Sequence, residues 1–465
     1  MSEQQIQHPA ISQHRAPASW HYIWHLSWPI ILSNLTLPLV NAVDVAMMGH
    51  LSDPALVGGV SLGGISLGFL YLIFGFLKMS TTGLTAQAVG RRDIGTIQLW
   101  LMRSAMVASS AGLLLMCLTP LLLPFLSWIF EADNAVEAHM SSYITFRIWA
   151  APAELLNSML LGWLFGLQQM RIGMIQLIAV NGINIGLNFL FVLGFGMEIE
   201  GVALASALAQ WAGLAITLAL IFHRRARFYL SKWQISFKDV ISPQGWGPYI
   251  QLSRDISLRS ILLFAVEAVL IAEAAKISVE ILGASEIILV MFLMMAYGLD
   301  GFAHACETLV GEAIGQKNKA NLKRVIWRST LMAGGLSLCI SVFYGLAGTY
   351  LIAIMTSQPD LIAACTRLWP YAVLLPVASF LAFQMDGVCI GATAGRFMRD
   401  SMILSVLIFA ASLFILTDWL GPPYRIDALW TSFIFYLAAR GVFLAMRLPD
   451  ITRFADADSL SSSSD

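Results

Sequence analysis

Long apolar runs, each followed by a short polar segment, recur along the whole chain. A run of 18 or more apolar residues fits a helix that crosses a lipid bilayer. Twelve such runs occur, at 22–47, 55–80, 98–123, 138–162, 170–195, 201–223, 250–279, 285–312, 326–348, 367–391, 401–418 and 428–447. The pattern therefore predicts an all-α integral membrane protein with twelve transmembrane helices, which we number as spans 1 to 12.

Composition agrees with this class and excludes several others. The 465 residues are 58% hydrophobic and 12% charged, against about 25% charged residues in soluble domains. The net charge of −1 gives no reason to expect nucleic-acid binding. The chain contains no GxxxxGK[ST] or HExxH motif, so we expect no ATP hydrolysis, no enzyme activity, no cofactor and no metal centre.

Basic residues concentrate in alternate loops, and this bias predicts the orientation of the chain. Arg91 and Arg92, Arg171 and the segment 224–238 lie in basic loops, whereas the intervening loops are acidic or neutral. We expect a bacterial inner (plasma) membrane protein with both termini in the cytoplasm. The predicted parts are a cytoplasmic segment 1–21, an N-lobe 22–223, a cytoplasmic linker 224–249, a C-lobe 250–447 and a cytoplasmic, disordered tail 448–465.

The two halves of the chain resemble each other at an offset near 225. AQAVGRRD (86–93) aligns with GEAIGQKN (311–318), and Gly162 and Gly166 align with Gly387 and Gly391. Residues 26–43 align with 252–269. An offset of six spans preserves orientation, so the repeat predicts two pseudo-symmetric six-helix lobes related by an axis along the membrane normal, with a substrate site in the central cleft between them.

Among the carboxylates inside the predicted spans, three stand in apolar surroundings at related positions: Asp44 in span 1, Glu267 in span 7 and Asp386 in span 10. An ionised carboxylate at mid-membrane costs at least ~3 kcal/mol and needs partners, a polar cavity or a proton. Such a group can couple transport to an ion gradient by gaining and losing a proton or a cation. The structural alternative is a buried hydrogen-bonded carboxylate.

At these residues the sequence resembles the MATE (multidrug and toxic compound extrusion) transporters, and specifically their DinF branch. The resemblance is carried by NAVDVAMMGHL (41–51), LDGFAHACETLVGEAIG (299–315) and DGVCIGATAGRFMRDSM (386–402). It implies a cleft that opens alternately to each side of the membrane, and efflux of lipophilic, often cationic small molecules in exchange for H⁺ or Na⁺. Asp44, Glu267 and Asp386 fall on acidic positions of that family.

Span 5 departs from the family pattern, because asparagines stand where many members carry an acid. Asn181, Asn184 and Asn188 lie on one helix face, and with Asn41 they surround Asp44 with neutral amides in our prediction. A single carboxylate with neutral partners suits H⁺ as the coupling ion. Na⁺ is the alternative, because amide oxygens can bind it.

We assign Glu267 and Asp386, together with Asn34 and Asp300, to substrate charge recognition or a secondary cation site. Pro38 removes a helix hydrogen bond less than two turns from Asp44, so we expect span 1 to bend there when Asp44 is protonated.

Other polar groups in the spans leave two interpretations open. Asp300, His304 and Glu307 share one face of span 8 and form either a proton relay or, as we favour, a network that stabilises a lobe. Lys78 is predicted to extend towards the membrane surface.

Several functions compete with a proton-coupled antiporter. They are a Na⁺-coupled antiporter, a flippase of lipid-linked precursors and a passive channel. A flippase would need fixed cations in the cleft to hold a diphosphate, and apart from Arg147, Arg254 and Arg259 the predicted spans offer few. We expect a monomer.

Overall fold

The computed structural model describes residues 18–38, 40, 43, 54–131, 133–223, 229–421 and 424–456. Within these residues every regular element is helical. Two predicted site residues, Asn41 and Asp44, lie outside the described residues, whereas Pro38 lies within them.

Each lobe contributes six spans. In the N-lobe, spans 1 to 6 are Trp20–Asn34; Pro54–Ile73 with Phe76–Arg91; Ile94–Phe130; Asn134–Arg147 with Ala151–Gly166; Met170–Asn188 with a π-helical turn Phe189–Gly194; and Ile199–His223. In the C-lobe, spans 7 to 12 are Trp246–Ala275, Val279–Gly315, Lys319–Met355, Pro359–Gly391, Gly395–Leu420 and Arg425–Met446. Short helices Phe237–Ile241 and Leu448–Arg453 lie in the linker and after span 12.

Among the described residues, ten helices are long and apolar enough to cross a membrane. Span 1 is outside this set, with 15 residues in its described helix. Span 7 is also outside it, and it carries Arg254, Asp255, Arg259, Glu267 and Glu273.

Many helices extend beyond the apolar runs that predict them. Span 2 ends at Arg91 rather than at 80, and span 9 is Lys319–Met355 rather than 326–348. Polar capping residues fix the N-terminal ends of spans 3 and 9, because their side chains accept from backbone N–H groups that the helix leaves unpaired. Asp93 caps span 3 and Asn318 caps span 9, each at 3.0 Å.

The backbone follows the predicted repeat closely. Arg92 and Lys317 both have a left-handed backbone, with φ of 58° and 53°, and Gln168 and Thr393 form a second such pair at 60° and 53°. The two members of each pair occupy equivalent positions in the repeat. The helix ends of the two lobes are therefore built in the same way.

Spans 1 and 7 each pack against both lobes. Ile23, Leu26 and Ile30 of span 1 belong to the hydrophobic core of the C-lobe. Their counterparts in span 7, at 249, 252 and 256, belong to the core of the N-lobe. This exchange makes spans 1 and 7 the helices most directly affected by a movement of one lobe against the other.

The lobes touch each other on the side that carries the basic loops. Gly90 and Gly315 are equivalent in the repeat, and they face each other across its axis. A methyl group built on Gly315 would lie 2.2 Å from the carbonyl oxygen of Gln87 and 2.9 Å from Cα of Gly90. Only glycine allows the two backbones to approach this closely.

Two equivalent hydrogen bonds join the lobes beside these glycines. Gln87 Nε2 donates to Thr393 Oγ1 at 3.2 Å, and Gln168 Nε2 donates to Glu312 Oε2 at 2.5 Å. Gln87 is equivalent to Glu312 in the repeat, and Gln168 is equivalent to Thr393. The contact therefore has the same pseudo-twofold symmetry as the lobes, and it closes the cleft on the basic side.

Candidate transport site

The asparagines of span 5 form a polar face that joins spans 1, 5 and 6. Asn181 Nδ2 donates to Thr36 Oγ1 at 2.5 Å, Asn184 Nδ2 donates to Ser206 Oγ at 2.8 Å, and Asn188 Nδ2 donates to Asn184 Oδ1 at 3.2 Å. All three amides are buried. The shared helix face predicted from their spacing is thus a buried face on which Asn184 and Asn188 are bonded to each other and Asn181 is bonded to span 1.

Span 1 is interrupted next to this amide group. The helix ends at Asn34, Leu35 and Thr36 form a turn, and helical structure resumes at Leu37 and Pro38. Val40 N donates to Thr36 O at 3.2 Å beyond the turn. The interruption lies less than one turn before the proline, whose ring nitrogen cannot donate to a preceding carbonyl.

Thr36 connects the interruption to span 5. Its hydroxyl donates to Ser33 O at 2.6 Å while accepting from Asn181. A change in the shape of span 1 would therefore be transmitted to the amide group.

Asn34 of span 1 lies apart from the amide group of span 5. Its Nδ2 donates to the carbonyl oxygen of Tyr297 in span 8 at 3.4 Å. The residue is 9% exposed. It therefore contributes to the contact between span 1 and the C-lobe.

Asp386 is the centre of a buried ionic cluster in the C-lobe. Its Oδ2 accepts hydrogen bonds from Arg259 of span 7 and Arg440 of span 12. All three residues are buried. The two guanidinium charges at Oδ2 oppose the binding of a cation to this carboxylate, although Oδ1 has no hydrogen-bond partner among the described residues. Nothing in the spacing of these residues along the chain indicates this pairing.

Glu267 is half-buried and lies within electrostatic range of Arg440. With both acids ionised, Glu267 and Asp386 balance the charges of Arg259 and Arg440. Of the two acids, Asp386 is hydrogen-bonded to two guanidinium groups, whereas Glu267 interacts with Arg440 through its charge.

A cavity of about 630 Å³ lies between span 7 and spans 11 and 12. Its apolar lining includes Val266, the neighbour of Glu267, together with Phe409 and Leu413, and Glu273 and Arg425 lie at its polar end. Its volume falls in the usual range for small-molecule sites.

A third group of charged residues joins the two lobes. Lys78 Nζ of span 2 lies 3.2 Å from His304 Nε2 of span 8, and His304 Nδ1 lies 3.0 Å from Glu307 Oε1. Asp300 is within electrostatic range of all three. The prediction that Lys78 extends towards the membrane surface is wrong, because its ammonium group contacts a buried histidine of the other lobe.

The residues that sequence reasoning missed are partners, above all Arg440. An arginine in the apolar run LAARGVFLAM is as informative as the aspartate it binds, and this signal was available. Among the described residues, no three His, Cys, Asp or Glu side chains converge on a point that could hold a metal ion.

Comparison with known proteins now decides the family. The MatE family model matches residues 29–190 and, a second time, residues 256–418. The chain belongs to the MATE family. One match falls in each lobe, which agrees with the repeat seen in the sequence and in the backbone.

The chain is 35% identical over 430 residues to the DNA damage-inducible protein F of Escherichia coli, covering 91% of this chain and 90% of the relative. This similarity assigns it to the DinF branch. It is 25% identical to a probable multidrug resistance protein NorM of Acinetobacter baylyi, covering 92% and 95%.

The fold also matches a solved structure described as the outward-facing conformation of a multidrug resistance MATE family transporter. The TM-score is 0.85 at 17% identity, with 94% of this chain and 98% of that chain covered. The MATE protein described here is therefore a membrane transporter and not an enzyme. Its twelve spans form the two lobes predicted from the sequence.

Proposed function

We propose that this MATE protein is a multidrug efflux antiporter of the bacterial inner membrane, exchanging lipophilic, often cationic compounds for H⁺. The proposal draws on the DinF-like relative and on the NorM protein described as a probable multidrug resistance protein. It also draws on the polar groups that the two lobes place in their spans.

The observation that carries the choice of coupling site is that two acids of the described spans, Glu154 and Asp386, already have arginine partners. In the N-lobe, Glu154 forms a 2.9 Å ion pair with Arg147. In the C-lobe, Asp386 is held by two arginines. Span 1 contributes Asp44, which follows the interruption at Leu35–Thr36 along the chain. We therefore assign proton binding to Asp44.

The mechanism that we propose links this proton to the shape of span 1. A proton arriving at Asp44 removes its charge and allows the helix to bend further near Pro38. Because Thr36 is bonded to Asn181, the bend would rearrange the amide group of span 5 and expel the substrate. Asn41, Asn184 and Asn188 would supply neutral hydrogen-bond partners in either protonation state.

We assign recognition of the positive charge of the substrate to Glu267, because Asp386 is already bound by two arginines. Asp386 would position Arg259 and Arg440, and it would bind a cation only in a conformation that separates it from one of them. Asp300 and Asn34 remain members of the proposed substrate or secondary cation site.

The orientation follows from the basic loops. If these loops face the cytoplasm, the cleft is closed on that side, which fits the likeness to an outward-facing transporter. Both termini would then be cytoplasmic. Independently of the orientation, we propose that the working unit is a monomer. A cysteine at Ser231, with Cys117 and Cys339 replaced by serine, should resist an impermeant thiol reagent in intact cells. Labelling would reverse the topology.

The experiment that tests the coupling ion measures ethidium transport by inside-out vesicles, first under a pure pH gradient and then under a pure Na⁺ gradient. We expect the pH gradient to suffice and Asp44→Asn to abolish transport. Glu267→Gln should weaken transport of cations while retaining the response to pH. Loss of pH-driven transport only in Glu267→Gln and Asp386→Asn would place coupling in the C-lobe, and transport driven only by Na⁺ would favour the Na⁺-coupled alternative.

The two buried arginines favour one competing function, a flippase of lipid-linked precursors, since guanidinium groups bind diphosphates. In the present geometry they are occupied by Asp386. Thermal stabilisation of the substrate-free protein by a prenyl diphosphate, abolished by Arg259→Gln, would support the flippase. Stabilisation by ethidium instead would support the antiporter.

A further inference from the structure

The contact between Lys78, His304 and Glu307 is a chain of three side chains that crosses from one lobe to the other. Lys78 belongs to span 2 of the N-lobe, and the other two residues belong to span 8 of the C-lobe. His304 is 6% exposed and Glu307 is 1% exposed. The chain is thus shielded from water at the surface where the lobes meet.

The hydrogen-bonding capacity of these groups determines where the protons lie. A lysine ammonium group only donates, so Nε2 of His304 must present its lone pair to Lys78. The proton of the neutral ring is then on Nδ1, which donates to Glu307 Oε1 at 3.0 Å. The observed contact therefore requires neutral His304.

An added proton on His304 is incompatible with this contact. Both ring nitrogens would then donate, and Nε2–H would point at an ammonium group 3.2 Å away. The hydrogen bond would be lost and two positive charges would face each other. Because Lys78 and His304 belong to different lobes, their separation loosens the contact between the lobes.

Charged groups of both signs surround His304. Lys78 and Arg259 are the cationic groups near it, and Asp300 and Glu307 are the carboxyl groups. Arg259 is shared with Asp386 of span 10, and the ring of Phe165 of span 4 packs against His304 with centroids 5.2 Å apart. Glu307 Oε2 is buried without a hydrogen-bond partner among the described residues. An imidazolium at His304 would therefore be stabilised by the carboxylate of Glu307 in the C-lobe, and not by the ammonium group of Lys78 in the N-lobe.

We propose that His304 is a proton-binding site at the lobe interface, which holds the lobes together while neutral and releases them when protonated. This site is distinct from Asp44. It depends on the proposed antiport only for its use in transport, since the lobe contact itself is measurable without substrate.

The test is a distance measurement between spin labels at Arg91 and Ala320, two exposed positions on the basic side of the two lobes. Cys117 and Cys339 are replaced by serine, and Asp44→Asn is present throughout to remove the other proton site. We expect the long-distance population to rise several-fold between pH 8 and pH 5.5. One coupled proton changes a population ratio by at most about tenfold per pH unit.

Two variants separate the proton from the contact, and a third serves as the control. His304→Gln keeps a neutral acceptor for Lys78 and should hold the short distance at both pH values. Lys78→Met removes the N-lobe partner and should favour the long distance at both. His223→Gln, the control, changes an exposed histidine in span 6 and should leave the pH response intact.

A pH response that survives unchanged in His304→Gln would overturn the proposal, as would a wild-type distance distribution in Lys78→Met. If His304→Gln does not fold, the distance distribution measured in Lys78→Met decides whether the proposal holds. Failure of ethidium transport with an intact, His304-dependent distance change would refute the antiport but not the proton site.

Discussion

Replacing Gly315 by alanine should open the contact between the lobes without damaging either lobe. The added methyl group would lie 2.2 Å from Gln87 O, 2.9 Å from Cα of Gly90 and 3.0 Å from Arg91 N. All three atoms belong to the backbone of the opposite lobe, so no side chain can rotate away. The clash exists only while the lobes touch on the basic side.

The size of the effect follows from the cost of overpacking. Inserting a methyl group into a closely packed contact costs about 1–3 kcal/mol, and a difference of about 1.4 kcal/mol is tenfold in a ratio of populations. Alanine also stabilises a helix relative to glycine by roughly 0.5–1 kcal/mol, but this gain applies to both conformations and cancels. We therefore expect the closed conformation to lose about 5- to 150-fold in relative population.

The assay uses the same spin labels at Arg91 and Ala320, at a single pH of 8. Gly315→Ala should shift the distances to longer values, and Gly90→Ala should do the same, because its methyl group would meet Glu312 O at 2.3 Å. The matched control is Gly335→Ala in span 9, where a methyl group meets nothing within 4 Å. Unchanged distances in both interface variants would refute the argument, and so would an equal shift in the control.

Three further predictions concern residues inside the lobes. Asp386→Asn removes the carboxylate that two buried guanidinium groups share and should reduce the free energy of unfolding by about 3–5 kcal/mol. The change should be seen as a lower Tm in detergent, and adding Arg440→Gln should recover part of the loss. In Arg103→Gln, trypsin should cleave the linker at Lys232 at least about tenfold faster. Arg103 donates to the carbonyl oxygens of four linker residues, and each bond to a charged donor contributes about 1.5–3 kcal/mol. An unchanged rate of cleavage would contradict this role. Asn184→Asp should raise the Na⁺ dependence of ethidium transport, since carboxylate oxygens bind hard cations better than amides do, and transport indifferent to Na⁺ would count against an N-lobe ion site.

The repeat was accessible from the sequence because it is encoded in local backbone requirements. Gly90 and Gly315 align in the sequence and lie face to face in the structure. Arg92 and Lys317 adopt the same left-handed turn. A turn that requires a particular backbone conformation, or a helix contact that requires glycine, restricts the residue type at the equivalent position in both halves of the chain.

The ionic partners were not accessible in the same way. Arg440 and Asp386 lie on different spans, and Lys78 and His304 lie in different halves of the chain. Nothing in a local pattern specifies which helices bring such side chains together. The spacing of Asp300, His304 and Glu307 showed that they share a face of span 8, but only the packing of span 8 against span 2 shows that this face meets the other lobe.

The positions where the lobes differ carry the chemistry, whereas the positions where they agree carry the fold. Lys78 is equivalent to Ala303, and the methyl groups that Gly162 and Gly387 lack would meet the carbonyl oxygens of these two residues at 2.2 and 2.5 Å. The backbone contact is thus the same in both lobes, yet only the N-lobe residue has a charged side chain to extend towards the partner lobe. The same contrast separates the amides of span 5 from the ionic cluster around Asp386. A symmetric contact can open and close the cleft, but only an asymmetric set of titratable groups makes that movement depend on protons.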